Sequence, residues 1–283
     1  MPSATGPHVV AAVMTYNRCG MLRQCLDGIR AQTMPPATIL VLDNASTDGT
    51  ARMLAEMFPD VQVRRMAENL GCTGAMHEVL KHALTFAPDY IWFFDDDAVP
   101  YPSCLETLVR EMQALEGDRR VGVLRVHMRD PVTGDVSGGG VSTASLLRAE
   151  MVSRVDLPRS DLFMESSDHS YNAQIRKAGY EILRVPVVLV QHPVRRPKTV
   201  RQIIAGGYRV SPWRLYYAVR NELYLDLYVQ RSFRDFLRHL ALAARTLVLL
   251  TLFGRPRRGQ LFVVRGIVDG MLGRTGRRVE PAY

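Results

Sequence analysis

An α/β fold, with a mostly parallel central sheet flanked by helices, is what the sequence predicts, on three observations. Short apolar runs rich in β-branched and aromatic residues alternate with segments of helical period along the first half of the chain, the pattern of βαβ units. Several of these runs are apolar without interruption, as strands covered on both faces are. With 283 residues and 47% hydrophobic content, the chain can bury a sizeable core without staples.

Taken in order, VVAAVM from Val9 reads as a buried strand, and the helix after it places Leu22, Cys25, Leu26 and Ile29 on one face. TMPPAT from Thr33 is a breaker, and TILVLD from Thr38 is a second strand ending at Asp43. STDGT opens a helix in which Met53, Leu54, Met57 and Phe58 repeat at helical spacing. VQVRRM from Val61 alternates as a third strand, NLGCTG is a glycine loop, and a helix then runs to about Phe86. YIWFF from Tyr90 is a fourth strand that runs into Asp95, Asp96 and Asp97. Farther on come a strand near Val121–Val126, the glycine-rich turn TGDVSGGG, and a strand plus helix over Val141–Val155. SSDHSYNAQIRKAGY reads as a helix capped by Ser166 or Ser167, with Asp168 in its first turn and Gly179 as its stop. EILRVPVVLVQHP is strand-like, Val194–Ser211 is a basic linker, and the remainder is helical and arginine-rich. The expected division is a catalytic-type α/β domain over 1–205 and a helical, basic extension over 206–283.

Four scattered cysteines, none in a CxxC pair, exclude a disulfide framework and a thiolate zinc site, and imply a reduced, intracellular protein. MPSATGPH has no basic region followed by an apolar stretch, and no later run reaches the roughly 18 apolar residues of a spanning helix. A signal peptide and membrane insertion are therefore not expected. The net charge of +8 is unevenly spread: residues 1–190 carry 18 Lys+Arg against 23 Asp+Glu, net −5, and residues 191–283 carry 18 against 5, net +13. A polyanionic partner is thus a question for the last third alone.

Three consecutive carboxylates directly after a buried strand are the sharpest chemical feature. Strand alternation would project Asp95 and Asp97 together and Asp96 away, at the end of a parallel strand, where open α/β sheets bind ligands. Two convergent carboxylates repel unless a cation lies between them, and hard oxygen ligands suit magnesium or manganese; the plain alternative is a solvated acidic turn. Asp43, at another strand end, can accept hydrogen bonds from a base or ribose, or be a turn residue. Asn69, Gly71 and Gly74 form a loop that lets backbone approach a ligand, but neither the Rossmann fingerprint nor the P-loop lysine is there. Asp168 is either a general base or an acid favoured by the helix dipole. His192, after an apolar strand, is either structural or an imidazole ligand completing a carboxylate metal site.

In this order, VVAAVMTYNR, VLDNASTDGT, ENLGCTGAM, FFDDDAVP, SSDHSYNAQIRKAGY, VQHP and SPWRLYYAVRNELYL resemble the family-2 glycosyltransferases, which have the GT-A fold. The DDD run, the aspartate before AGY, the following HP and YYAVRN look most like the galactofuranosyl- and rhamnosyltransferase branch, which extends lipid-linked cell-surface glycans. The resemblance implies that Thr15, Tyr16, Asn17 and Asp43 hold the base and ribose of a nucleotide-diphosphate sugar, with Asn69 and Gly71 in the same pocket and Asp96 beside the donor. It implies that Asp95 and Asp97 hold a divalent cation, manganese or magnesium, with His192 as third ligand, and that Asp168 is the catalytic base. Two departures stand out: GCTGAM replaces a more glycine-rich run, and Ser167 stands where an acid commonly precedes the base. The implied reaction is metal-dependent inverting transfer of galactofuranose or rhamnose from a UDP- or dTDP-linked donor to a lipid-linked glycan. The alternatives are transfer to a soluble secondary metabolite and a non-catalytic nucleotide-sugar or glycan-binding protein.

Within Arg231–Phe253, Arg231, Arg234, Arg238 and Arg245 fall within about 60° of one another at roughly 100° per residue, beside Leu, Ala, Val and Phe. This pattern suits an anionic membrane surface, or equally a helix packed on the catalytic domain with solvated arginines. A cytoplasmic protein peripheral on the inner face of the membrane is the corresponding expectation. Trp213, Tyr216 and Tyr217 near these arginines raise base stacking as a further reading, but no nucleic-acid motif accompanies them.

Overall fold

The computed structural model describes residues 6–117, 120–138, 140–141, 143–193, 211–253 and 258–281. The basic linker expected over Val194–Ser211 and the division at 205 lie almost wholly outside the described residues. The chain forms two compact units. The first runs to Leu70 and takes in Ala75–Pro158 and the chain from Tyr171 to Val194; the second takes Gly71–Gly74, Arg159–Ser170 and the carboxy-terminal helices. The second unit therefore draws on two segments far upstream of residue 206, which sequence periodicity gives no way to assign.

In the first unit the strands β1 (Val9–Thr15), β2 (Thr38–Asp43), β3 (Gln62–Arg65), β4 (Tyr90–Asp95), β5 (Val99–Pro100), β6 (Val121–Arg129), β7 (Val136–Gly138), β8 (Thr143–Arg148) and β9 (Glu181–Gln191) form one sheet. Its order is β3-β2-β1-β4-β8-β6-β9-β5, with β7 on β6. β3, β2, β1 and β4 are parallel neighbours. β8 is antiparallel to both β4 and β6, β6 and β9 are again parallel, and the short strands β5 and β7 are antiparallel to β9 and β6. The helices are α1 (Cys19–Arg30), α2 (Thr50–Met57), α3 (Gly71–Ala83), α4 (Cys104–Ala114), α5 (Ala149–Arg154) and α6 (Ser167–Lys177).

β1 is buried at every position, and so is β4 as far as Phe94. This explains why both read as continuous apolar runs. Val9, Ala11 and Val13 of β1 and Trp92 and Phe94 of β4 share a core with Leu22, Cys25, Leu26 and Ile29 of α1 and Leu105, Leu108 and Met112 of α4. Each large aliphatic side chain in it contributes about 1.5–3 kcal/mol by burial. Met57 departs from the helical pattern predicted for α2: it is exposed, while Met53, Leu54 and Phe58 are buried. The register of β4 on β8 slips between Phe93 and Phe94. Ala144 at the slip adopts φ +51°, and its carbonyl accepts the Trp92 indole N–H at 3.1 Å. Gly179 stops α6 as expected, at φ +86°. Its N–H reaches Arg176 O, and that of Tyr180 reaches Ile175 O, a Schellman closure.

In the second unit, α7 (Pro212–Tyr224) continues into π-helical turns over Leu225–Gln230, followed by α8 (Phe233–Phe253) and α9 (Arg258–Met271). α9 lies close on α7 because Gly266 and Gly270 face it: a Cβ on either would come within 2.8 Å of the carbonyl of Tyr216 or Arg220. Tyr216 donates its hydroxyl to Asp269 at 2.8 Å, and Tyr217 donates to Val279 O at 2.8 Å. Trp213, Tyr216 and Tyr217 are all buried, which removes them as a stacking platform for bases. Among the described residues no helix is long and apolar enough to cross a membrane. All four cysteines are free thiols, Cys25 and Cys104 buried.

Candidate active site

β1, β2 and β4 end level with one another. Thr15 is paired with Asp43 across β1–β2, and Met14 with Asp95 across β1–β4. Three of the sequence-predicted residues thus come from adjacent strand ends, where an open α/β sheet presents ligands to its loops. The Thr15 hydroxyl donates to Asp96 Oδ2 at 2.7 Å. Asn17 adopts φ +52°, which asparagine tolerates better than most residues. Its N–H donates to Ser46 Oγ at 3.0 Å, and its Oδ1 accepts the Thr47 N–H at 2.7 Å. The loop after β1 is thereby laced to the loop after β2, with half-buried Tyr16 between the two anchored residues.

Asp43 is buried and divides its oxygens between two tasks. Oδ1 accepts the Ser46 N–H at 2.8 Å and shapes the turn. Oδ2 has no hydrogen-bond partner among the described residues and faces Arg65 Nε at 3.7 Å. It is therefore the Asp43 oxygen with capacity to accept a further hydroxyl or N–H. Asn69 is placed through Asn44, whose Nδ2 donates to Asn69 Oδ1 at 3.0 Å and whose Oδ1 accepts the Leu70 N–H at 2.9 Å.

The acidic run does not continue the strand. β4 ends at Asp95, and a turn follows in which the Ala98 N–H donates to Asp95 O at 3.3 Å. Strand alternation therefore stops governing the side chains at Asp95, and the next two carboxylates, Asp96 and Asp97, share one partner. Arg18 Nη1 donates to Asp96 Oδ1 at 3.1 Å and to Asp97 Oδ2 at 2.8 Å. His192, on the residue after β9, sets Nε2 3.0 Å from Asp97 Oδ1. Burial pushes the Asp96 carboxyl above its ordinary value despite Arg18 and the Thr15 hydroxyl. Burial acts the same way on Asp97, but His192 and Arg18 outweigh it and hold that carboxyl below its ordinary value. Asp97 also opens onto a cleft of about 190 Å³ bordered by Met21, Gln24, Val99 and Gln191.

Asp97 and His192 fit a divalent cation as two of its ligands. Donors held at about 2.0–2.1 Å from one ion at right angles stand roughly 3 Å apart, the separation between Asp97 Oδ1 and His192 Nε2. The other ring nitrogen, His192 Nδ1, is buried without a hydrogen-bond partner among the described residues. No group of three His, Cys, Asp or Glu side chains converges on one point among the described residues. Such a cation would complete its shell from a bound diphosphate, as magnesium commonly does.

Gly71 and Asp168 belong to the second unit. Gly71 has φ +74°, and a Cβ on it would stand 1.9 Å from Phe163 O. The backbone approach for which this glycine is needed is to Phe163. Asp168 is half-buried in the first turn of α6. The chain reaches it through Phe163, Glu165 and Ser166, all at positive φ. Asn221 Nδ2 holds that loop by donating to Leu162 O, Met164 O and Glu165 O at 3.3, 2.5 and 3.2 Å. Ser166 Oγ donates to Glu222 Oε1 at 2.6 Å, and His169 Nδ1 lies 3.1 Å from Glu222 Oε2. Arg220, fully buried, donates to Leu162 O at 2.7 Å and to Arg274 O at 3.1 Å.

Sequence reading used YYAVRN as a mark of resemblance but gave no role to Arg18 or to Arg220, Asn221 and Glu222. Arg18 carries a visible signal, a cation three residues past a strand end in a chain with an acidic triplet. The contacts of the run in α7 carry none, since its partners lie more than fifty residues away along the chain in either direction.

The arrangement is an α/β fold of the GT-A type. Residues 11–138 match the family model described as Glycosyl transferase family 2. The galactofuranosyltransferase GlfT1 of Mycolicibacterium smegmatis is 22% identical over 199 residues, 60% of this chain and 66% of the relative, just under two thirds of its length. The N-acetylglucosaminyl-diphospho-decaprenol L-rhamnosyltransferase of Mycobacterium tuberculosis is 26% identical over 146 residues, 49% of this chain and 46% of the relative. Among solved structures, the mannosyltransferase PcManGT of Pyrobaculum calidifontis in complex with GDP-Man and Mn2+ aligns with a TM-score of 0.53 at 20% identity, over 96% of this chain and 88% of the other. That likeness carries the fold.

Proposed function

We propose that the chain transfers a sugar, galactofuranose or rhamnose, from a nucleotide-diphosphate donor to a hydroxyl of a lipid-linked glycan, with inversion at the anomeric carbon. The observation that carries this reading is the set of level strand ends: Thr15, Asp43 and Asp95 side by side, with Asp97 and His192 in contact just beyond. Asp43 Oδ2 takes a donor group of the nucleoside, Asn17 and Asn69 shape the walls of that pocket, and Asp96 keeps the β1 loop in place through Thr15 and Arg18. Asp97 and His192, with Asp95 at the strand end before them, hold a manganese or magnesium ion. When bound, that ion supplies positive charge to the departing diphosphate.

Asp168 is the proposed base. Its carboxylate accepts the proton of the acceptor hydroxyl while that oxygen bonds to the anomeric carbon and the bond from that carbon to the diphosphate oxygen breaks. One displacement inverts the centre and needs no second nucleophile. The names of the two relatives support the choice of sugars, and that of the rhamnosyltransferase supports a diphospho-polyprenol acceptor, which would bring the chain to the inner face of a membrane as a peripheral protein.

Thermal shift against UDP-, dTDP- and GDP-sugars with and without manganese tests donor binding, because a ligand of the native state alone raises apparent stability. Transfer to a synthetic polyprenyl-diphosphate sugar tests the reaction. Asp168→Asn is expected to retain manganese-dependent nucleotide stabilisation and to lose transfer. Near wild-type transfer by that variant removes Asp168 from the role, and nucleotide binding without turnover on any acceptor leaves a binding protein.

A further inference from the structure

The second unit carries a large apolar face with nothing packed on it among the described residues. In α8, Phe236 and Ala243 are buried, whereas Phe233, Leu242, Val248 and Leu252 are each more than half exposed and Leu237 nearly so. In α9 the inward side is Val263, Gly266 and Gly270 against α7. The outward side repeats Leu261, Val264, Val268 and Met271 at intervals of three and four, all exposed. The two helices adjoin: a Cβ on Gly259 would meet Leu250 at 3.5 Å. Single exposed apolar residues need no explanation, but two adjoining helices with a continuous exposed stripe do.

The charges on the same face identify its occupant. Arg234, Arg238 and Arg245 project from the exposed half of α8, and residues 231–283 hold 11 arginines against three acids, net +8. Of those acids, Asp269 is buried with Tyr216, and Asp235 is bonded to Ser232 and paired with Arg238 at 3.2 Å. A second copy of the chain meeting this face across a twofold axis would set arginines against arginines. Spanning is ruled out for these helices by their charge and length, and an apolar stripe beside arginines is the composition of a helix lying in a lipid interface.

We infer that the outward faces of α8 and α9 form one docking surface for an anionic phospholipid bilayer, with Leu237, Val248, Val264 and Val268 entering the acyl boundary and Arg234, Arg238 and Arg245 pairing with headgroup phosphates. Arg231, counted on the helix from sequence, lies outside it at φ +54° and is not needed. This deepens the proposed reading by naming how the chain meets a lipid-linked acceptor, and it rests on that reading for its purpose, though not for its geometry.

Flotation of the full chain with vesicles of phosphatidylcholine alone, or with an equal part of phosphatidylglycerol, tests the surface. Binding is expected only with the anionic lipid, and to weaken as salt rises. The triple variant Arg234→Gln/Arg238→Gln/Arg245→Gln is expected to lose on the order of a hundredfold in partitioning. Leu237→Gln/Val248→Gln and Val264→Gln/Val268→Gln are each expected to lose at least about tenfold. All seven positions are exposed, and circular dichroism checks that each variant is folded. Unchanged binding in both apolar variants overturns the inserted face, and so does absence of binding to anionic vesicles. A concentration-dependent dimer abolished by the same glutamines, without vesicle binding, assigns the face to a second copy. Manganese-dependent nucleotide binding is measured on every variant: lost flotation with nucleotide binding intact counts against this surface alone, and flotation without nucleotide binding in the wild type counts against the transferase reading alone.

Discussion

His192 Nε2 stands 3.0 Å from Asp97 Oδ1, an imidazole just after β9 and a carboxylate from the turn between β4 and β5. β5, which follows Asp97 by two residues, pairs with the end of β9, which His192 follows. Arg18 holds the other Asp97 oxygen at 2.8 Å, so Asp97 stays ionised and oriented. Asp97→Asn is expected to lower manganese-dependent affinity for a nucleoside diphosphate by at least about tenfold, since loss of even an outer-shell partner costs that much at metal sites. Calorimetric titration with UDP, with and without manganese, reads it. An unchanged difference between the two conditions would falsify the assignment.

Gly71 and Phe163 make the second prediction. Gly71→Ala places a methyl group 1.9 Å from a backbone oxygen at φ +74°, where neither atom belongs to a flexible side chain. Overpacking and backbone strain together predict a loss of about 2–6 kcal/mol, measured as a shifted urea midpoint with unchanged slope. A loss below about 0.5 kcal/mol would mean that the close approach is relaxed in solution.

The first half of the fold was legible because β1, β4 as far as Phe94 and β2 from Leu40 are buried on both faces, so burial alone wrote their composition, and because α1 shows one apolar stripe. Gly179 was legible for a local reason, since only a few residues accept its φ. The alternation expected of the acidic run did not extend through it, because alternation holds only while the ladder continues and β4 ends one residue into the run. The contacts of Arg220, Asn221 and Glu222 reach back across more than fifty residues, and a single sequence holds no periodicity linking such partners. For the same reason Arg159–Ser170 gave no sign of belonging with the carboxy-terminal helices.

Asn221 offers a third test. Its one amide group serves three carbonyls of a loop in which Phe163, Glu165 and Ser166 sit at positive φ. Asn221→Ala leaves buried acceptors without their donor and is expected to destabilise the chain by about 1–3 kcal/mol. Asn221→Asp puts carboxylate oxygens against those carbonyls and is expected to cost more than the alanine. Urea denaturation of the pair checks the order, and a milder aspartate would show that the loop is held by other means.

The pair of His169 and Glu222 sets a pH dependence. The hydrogen bond and charge of Glu222 raise His169 above its ordinary value despite partial burial. Burial pushes Glu222 up, but His169, Ser166 and His239 outweigh it and hold the carboxyl low. The stabilisation from raised His169 is fully present below the unfolded-state value of about 6.5 and fades as pH climbs through the higher folded value. The stabilisation from depressed Glu222 is present above its unfolded value of about 4.3 and fades as pH falls through the lower folded one. Both are therefore in force between about pH 4.3 and 6.5, and the His169 share drains away on the alkaline side. His169 is half exposed, so the effect is modest. Thermal unfolding at pH 6 and pH 8 is expected to show a drop in the wild type that shrinks in both Glu222→Gln and His169→Gln. An equal drop in all three proteins would place the pH dependence elsewhere in the chain.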